Sequence, residues 1–481
     1  MVTNDPWSAL VSQTVLGTRQ GQALTADGLL GEALARVPAG DVATATALIT
    51  AWRRAGRRPT HLAHAAVAAP AETLPEASAA ATRLVQRFLS DGGEEELIRP
   101  WIEACAAAGQ KASDLDIPRL LDLGRAQPHM REPIRRIIGA RGGWLATQQD
   151  AWAWATAPAS AGDWSTSTGQ ERLALVRQIR RADPAAARHL IESTWSDDAP
   201  ADRAAFLGVL KDGLTLADEP LLERALDDRR KEVRQIALDL CRALPGAALA
   251  QRCHERLARC WTWSRPLIAQ RLTITPPTAY DKSWARDGID AKPPTGIGER
   301  AWWLQQLVSA VPVAHWTDAW DCTPAEAIAA LAKTDWEEPF IQGLIASSYA
   351  QPDARWIAAL MTHRLGADHA PQLLQALAGP ERERLLGGFL PVSGTEGRNF
   401  IALVDEIDCH WSPDFSQRVI TVMQQQPSAD WFRRISSLAR RLDPMATAAL
   451  AALPHDEATK PALDAALSLL DLRRQIAKEF A

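Results

Sequence analysis

Paired cysteines are missing from this chain. Its six cysteines stand singly at positions 105, 241, 253, 260, 322 and 409, with no CxxC pair and no dense framework. Isolated cysteines at apolar positions in a long chain are expected to be reduced core residues in a reducing compartment. Long hydrophobic runs are missing too, since the alanine-rich stretches break at Arg, Glu or Pro before a membrane span is reached. The segment from Met1 to Trp7 has no basic region followed by an apolar one, so no secretory signal is expected and a cytoplasmic setting is. Neither sign of charge dominates. Lys and Arg number 53 against 58 Asp and Glu, for a net charge of −5. That balance gives no general attraction to nucleic acid or acidic membrane surfaces.

Catalytic signatures are equally scarce. There is no GxSxG elbow, and His61 and His64 are not followed by HExxH. Gly296-Ile297-Gly298-Glu299-Arg300 lacks the Lys-Ser/Thr and upstream strand of a phosphate loop, and reads as the entry to a helix. Asp405-Glu406-Ile407-Asp408-Cys409-His410 gathers acids, a thiol and an imidazole, but mixes hard and soft donors at neither zinc nor calcium spacing. Cys241, Cys253, His254 and Cys260 form a second loose group, with Cys253 and Cys260 expected on the apolar face of one helix. No metal, no cofactor and no catalytic residue are assigned, and an enzyme is the less favoured reading.

What is present is the amphipathic helix, in short lengths. Val233, Ile236, Ala237, Leu240 and Leu244 fall on one helical face, and Pro245-Gly246 ends it. Leu221, Leu222, Ala225 and Leu226 make the preceding stripe, opened by Pro220. Similar pairs surround Asp183-Pro184 and Glu219-Pro220, about 35 residues apart by the spacing of helix-pair repeats. Further helix starts are expected near Pro324, Glu338, Asp353, Pro380, Pro413, Asp430 and Pro444, with a last helix from Pro461 to Phe480.

The expected fold is all-α: a helical-repeat solenoid in two helical blocks joined by an ordered Pro/Gly-rich connector. Its parts are an N-terminal helical region (1–160), a repeat block (161–274), the connector (275–298) and a C-terminal helical block (299–481). Trp284 and Ile289 should anchor the connector. The 19 tryptophans, beside only 2 Tyr and 8 Phe, are expected mainly as core wedges with their indole N–H on helix-end carbonyls.

Leu226-Asp227-Asp228-Arg229-Arg230-Lys231-Glu232-Val233-Arg234 resembles the HEAT-repeat consensus, which implies a ladder role for Asp228 and Arg234. A wider set of segments resembles an uncharacterised bacterial family, a domain of unknown function. They include Trp7 to Thr18, Arg141-Gly142-Gly143-Trp144, Glu171 to Trp195, Asp218 to Gly246, Arg286-Asp287-Gly288-Ile289, Gly298 to Trp303 and Leu472-Arg473-Arg474. That resemblance implies gene neighbours encoding SWIM zinc-finger proteins, MoxR-type AAA ATPases and von Willebrand A-domain proteins, and it lends no catalytic residues.

The leading functional expectation is a non-enzymatic scaffold or adaptor that binds a protein partner, such as a MoxR-type AAA ATPase or an A-domain protein. Its candidate contact residues are Arg141, Trp144, Asp227, Arg229, Arg230, Arg286, Asp287 and Arg300. The competing assignment for Arg286, Asp287 and Arg300 is that they pin the connector internally. A second class is a HEAT-like nucleic-acid-binding protein or DNA glycosylase using Arg runs such as Arg180-Arg181 and Arg229-Arg230, against which the acidic balance counts. A third is a metal-dependent hydrolase built on Asp405 to His410.

Overall fold

Capping chemistry sets where the helices begin. Thr168 and Thr323 each accept from the backbone N–H three residues on, while Glu171 and Glu326 reach back, closing two capping boxes. Asp183 accepts from the N–H groups of Ala185 and Ala186 at 3.0 Å and starts Pro184–Thr194. Asp353 does the same for Ala354–Thr362. Proline occupies a first-turn position in Pro200–Val209, Glu219–Ala225 and Pro324–Leu331, where its missing donor costs nothing.

The computed structural model describes residues 6–16, 24–38, 40–55, 68–90, 94–156, 164, 168–264, 271–389, 403–404, 407, 410–425 and 429–481. The fold is mostly helical. One antiparallel hairpin interrupts it, pairing Trp261–Ser264 with Arg271–Ile274. This hairpin departs from an expectation of helix throughout. It also corrects the placement of the cysteines: Ala248–Leu257 ends before Cys260, which sits at the entry to the first strand.

The chain divides into two units, residues 1–69 and 70–481. In the first, Pro6–Leu16, Gly28–Leu34 and Val42–Ala55 enclose a small core of Leu10, Leu30, Leu34, Ala45 and Ile49. Arg53 lies over the Trp7 ring at 5.1 Å.

The second unit has two cores. One runs from Leu173 to Leu377 and includes both strands of the hairpin, Trp284, Ile289 and the helices after the connector. Val233, Ala237, Leu240 and Leu244 are buried in it, and Ile236 is half-buried at its margin. Its aromatic centre stacks Trp263 on Trp320 at 5.3 Å and sets Trp316 edge-on to Phe340 at 4.8 Å. Here the indole expectation needs correcting. Trp101 and Trp303 donate to carbonyls, of Ala81 and Ala291, but the N–H groups of Trp316 and Trp356 have no acceptor among the described residues. These rings are held by packing alone.

The other core joins the beginning of the unit to its end. Ala79–Phe88 and Ile98–Ala107 pack on Lys460–Glu479, so that Trp101 meets Phe480 edge-on at 5.3 Å. Ser78 donates to Glu479 at 2.6 Å, and Arg440 pairs with Glu96 at 2.9 Å.

Candidate functional site

Three helices, Gly169–Ala182, Pro200–Val209 and Lys231–Ala243, begin 31 residues apart and carry Arg172, Arg203 and Arg234 at their fourth positions. Arg172 grips the Asp198 carboxylate through two nitrogens, at 2.6 and 3.2 Å. Arg203 grips Asp228 in the same way, at 2.8 and 3.3 Å. Each of these guanidiniums also lies over an indole, Trp164 for Arg172 at 4.0 Å and Trp195 for Arg203 at 5.7 Å. Trp164 and Trp195 are themselves 31 residues apart, and Leu226 takes the next place. Arg234 grips no carboxylate among the described residues; it donates instead to the Asp228 carbonyl at 2.7 Å, as Arg203 does to the carbonyl of Asp198. Burial would push the Asp228 carboxyl up, but the Arg230 N–H and Arg203 hold it below the usual range.

Asp228 thus bridges helices through Arg203, while Arg234 closes its own turn. The Gly169–Ala182 helix also supplies one partner of a fully buried pair. Arg180, 2% exposed, binds both oxygens of Asp218, 0% exposed, and four carbonyls besides. Arg188 donates to the same carboxylate at 2.9 Å. Arg180 is therefore not part of a solvated Arg run. Burying it is tolerable because its donors meet fixed acceptors.

A second charge network fixes the connector. Glu219–Ala225 supplies Glu223, Ala248–Leu257 supplies Arg252 and Arg256, and the turn Lys282–Asp287 supplies Arg286 and Asp287. Arg286 takes Glu223 at 2.8 Å and Asp227 at 2.8 and 3.0 Å. Asp287, only 2% exposed, accepts from Arg252 and Arg256, each at 2.6 Å. Arg252 also reaches Glu223 at 3.0 Å, so one carboxylate ties two arginines from different elements. Gly288 closes the turn at φ +72°, and an added Cβ there would strike the Leu238 side chain at 2.6 Å. Arg300 donates to the carbonyls of Pro276 and Pro277, at 2.9 and 3.2 Å, and covers the Trp336 ring at 5.4 Å.

Hydrogen bonds and ion pairs join only some of the candidate contact residues. Arg286 and Asp227 meet; Asp287 turns inward; Arg300 holds the connector. Arg141 pairs with Asp114, and its N–H donates to Glu72 at 3.4 Å, with Trp144 half-buried on the same Gly139–Thr147 helix. Arg141 shares no hydrogen bond or ion pair with Asp227, Arg229, Arg230 or Arg286 among the described residues. Arg229 and Arg230 are exposed and make no side-chain ion pair among the described residues. They stand at the corner after Asp228.

Of the metal candidate, Asp405, Glu406, Asp408 and Cys409 lie outside the described residues, as do His61 and His64. His410 is described: its Nδ1 faces the Arg473 guanidinium at 2.9 Å, and Arg473 also donates to the carbonyls of Ala439 and Leu442. Nδ1 must therefore accept, which puts the imidazole proton on Nε2.

Sequence reasoning missed Arg172, Arg203 and Asp198, and placed Arg180 only in an Arg run. For the first three the signal was available, as arginines and tryptophans recurring at 31 residues. A family model described as "Family of unknown function (DUF5691)" matches residues 9–480. No curated protein and no solved structure matches the chain.

Proposed function

The chain belongs to that family of unknown function, and from its own geometry we propose that it is a non-enzymatic helical-repeat scaffold or adaptor for a protein partner. The observation that carries this reading is the row of Trp–Arg–Asp contacts at 31-residue steps, Trp164–Arg172–Asp198 followed by Trp195–Arg203–Asp228. A contact that recurs in register is what stacked helix pairs of HEAT type need to fix each pair against the next. The same row supports a HEAT-like array over the expected repeat block.

The row uses its charges internally and leaves Arg229 and Arg230 facing outward at its end. Exposed arginines beside a rigid turn suit bidentate contact with a partner's carboxylates. Arg286, Asp287 and Arg300 support the pinning role. The partner class we propose is a MoxR-type AAA ATPase or a von Willebrand A-domain protein.

Co-expression of the full chain with such an ATPase and A-domain protein from the same genome tests this. The expected result is co-elution that is lost on Arg229→Glu with Arg230→Glu, at an unchanged thermal midpoint. Salt-sensitive binding of duplex DNA with no co-elution would overturn it in favour of the nucleic-acid class.

A further inference from the structure

The hairpin leaves one strand with an open side. Among the described residues Trp261–Ser264 pairs only with Arg271–Ile274, so each strand has one neighbour in the sheet. The Thr275 N–H donates to the Cys260 carbonyl at 2.7 Å, which fixes the phase of the ladder. Counting by twos, Thr273 and Arg271 exchange hydrogen bonds with Thr262 and Ser264. The N–H and C=O groups of Leu272 and Ile274 then point away from the first strand. They have no hydrogen-bond partner among the described residues.

A cavity of about 430 Å³ lies against this side, lined by Arg271, Leu272, Thr273 and Ile274 on one wall. Its other wall is Ala330, Lys333, Thr334, Asp335 and Trp336. A cavity over a sheet face would be lined by alternate residues and by both strands. This one is lined by four consecutive residues of the outer strand and none of the inner, so it runs along the edge.

We propose that this edge groove takes an extended segment of a partner protein by strand addition, and that the segment carries an acidic side chain. The unpaired backbone groups need a chain that offers its own N–H and C=O at strand spacing, which a small anion does not. Four residues give a seat of about 14 Å. The rim sets the charge. Arg271 and Lys333 are exposed, make no ion pair among the described residues, and outnumber the one lining carboxylate, Asp335. A second copy of this chain would bring the same two cations edge to edge, which repel. The proposal does not depend on the arginine row or the Arg229–Arg230 corner, and either can fail without the other.

The test uses the full chain and a pooled set of acetylated, amidated heptapeptides with one fixed Glu among mixed β-branched and polar residues. Two control pools replace Glu with Lys, or N-methylate alternate backbone amides. Binding of the Glu pool at low ionic strength is expected. It should weaken at least tenfold on N-methylation, with the Lys pool, and in the Arg271→Glu, Lys333→Glu double variant. Circular dichroism of that variant should match the parent, since both side chains are exposed. No binding by the Glu pool overturns the proposal. So does binding indifferent to N-methylation, which would reveal a simple charge contact. A concentration-dependent dimer abolished in the double variant would show the groove occupied by a second copy, and would overturn it too.

Discussion

Arg203 is shared between two turns: its guanidinium pairs with the Asp228 carboxylate ahead of it and donates to the Asp198 carbonyl behind it. The two acceptors lie 30 residues apart in sequence and belong to successive helix-pair corners. One rigid planar side chain therefore sets the distance and rotation between neighbouring corners. Arg172 reproduces the forward half of this arrangement, and Arg234 the backward half. Arg203 performs both.

Removing that link should cost far more than removing an exposed neighbour. Arg203→Ala leaves the Asp228 carboxylate, 6% exposed, without its counter-charge. The expected loss is about 3–5 kcal/mol in urea denaturation. Arg229→Ala, on the surface, should stay within about 0.5 kcal/mol. Equal midpoints for the two variants would mean the row does not hold the fold.

Asp218 gives a pH dependence. Burial alone would push its carboxyl up, but hydrogen bonds from Arg180, the Thr215 N–H and Arg188 outweigh that and hold it below its ordinary value. A group depressed in the folded state binds its proton more readily once unfolded. Its contribution is therefore complete above about pH 4 and is lost as pH falls from there through the folded value. Asp218→Asn should be less stable than the parent at pH 7, with the gap narrowing below about pH 4. A gap constant from pH 7 to pH 3 would show that the carboxylate is not the group at work.

The buried thiols should be chemically silent. Burial pushes Cys105 and Cys241 up to about 12 and Cys253 up to about 11. Thiolate is the reactive form, so almost none exists at pH 8. Iodoacetamide followed by peptide mapping should label none of the three in native protein, and all three in guanidinium. Rapid native labelling of Cys253 would place it outside the core.

Asp287 predicts how the connector comes loose. Asp287→Asn removes the charge that Arg252 and Arg256 share, leaving Arg252 with Glu223 alone and Arg256 without an ion pair among the described residues. Cleavage by trypsin after Lys282, which is exposed, should become at least tenfold faster, while far-ultraviolet dichroism changes little. An unchanged cleavage rate would show that burial of Trp284 and Ile289 suffices to hold the segment.

Helix positions were largely legible in the sequence because caps are local: Asp183, Thr323 and Asp353 announce their helices within three residues. Other features were not. Trp261-Thr262-Trp263-Ser264 and Arg271-Leu272-Thr273-Ile274 do alternate apolar and polar residues, but four-residue runs between helices carry little weight. The repeat was sought at the Asp-Pro and Glu-Pro marks, which precede the second helix of each pair. Those helices differ in length and placement, Pro184–Thr194 against Glu219–Ala225, so the marks drift while the first helices keep step at 31. The burial of Arg180 is not legible locally because its partner Asp218 lies 38 residues away. Neighbouring charges in sequence, such as Arg286 and Asp287, likewise take different partners once the turn is made.

The meeting of Ser78 with Glu479, 401 residues apart, has a consequence for synthesis. Ribosomes add about 5–20 residues each second, so the early helices Ala79–Phe88 and Ile98–Ala107 wait roughly 20–80 seconds for Lys460–Glu479 to be made. Through that interval Trp101 lacks the Phe480 ring that finally meets it, and the two helices lack the helix they pack on. Nascent chains halted before residue 460 should therefore recruit holdase chaperones to the early helices, and release them once the last helix emerges.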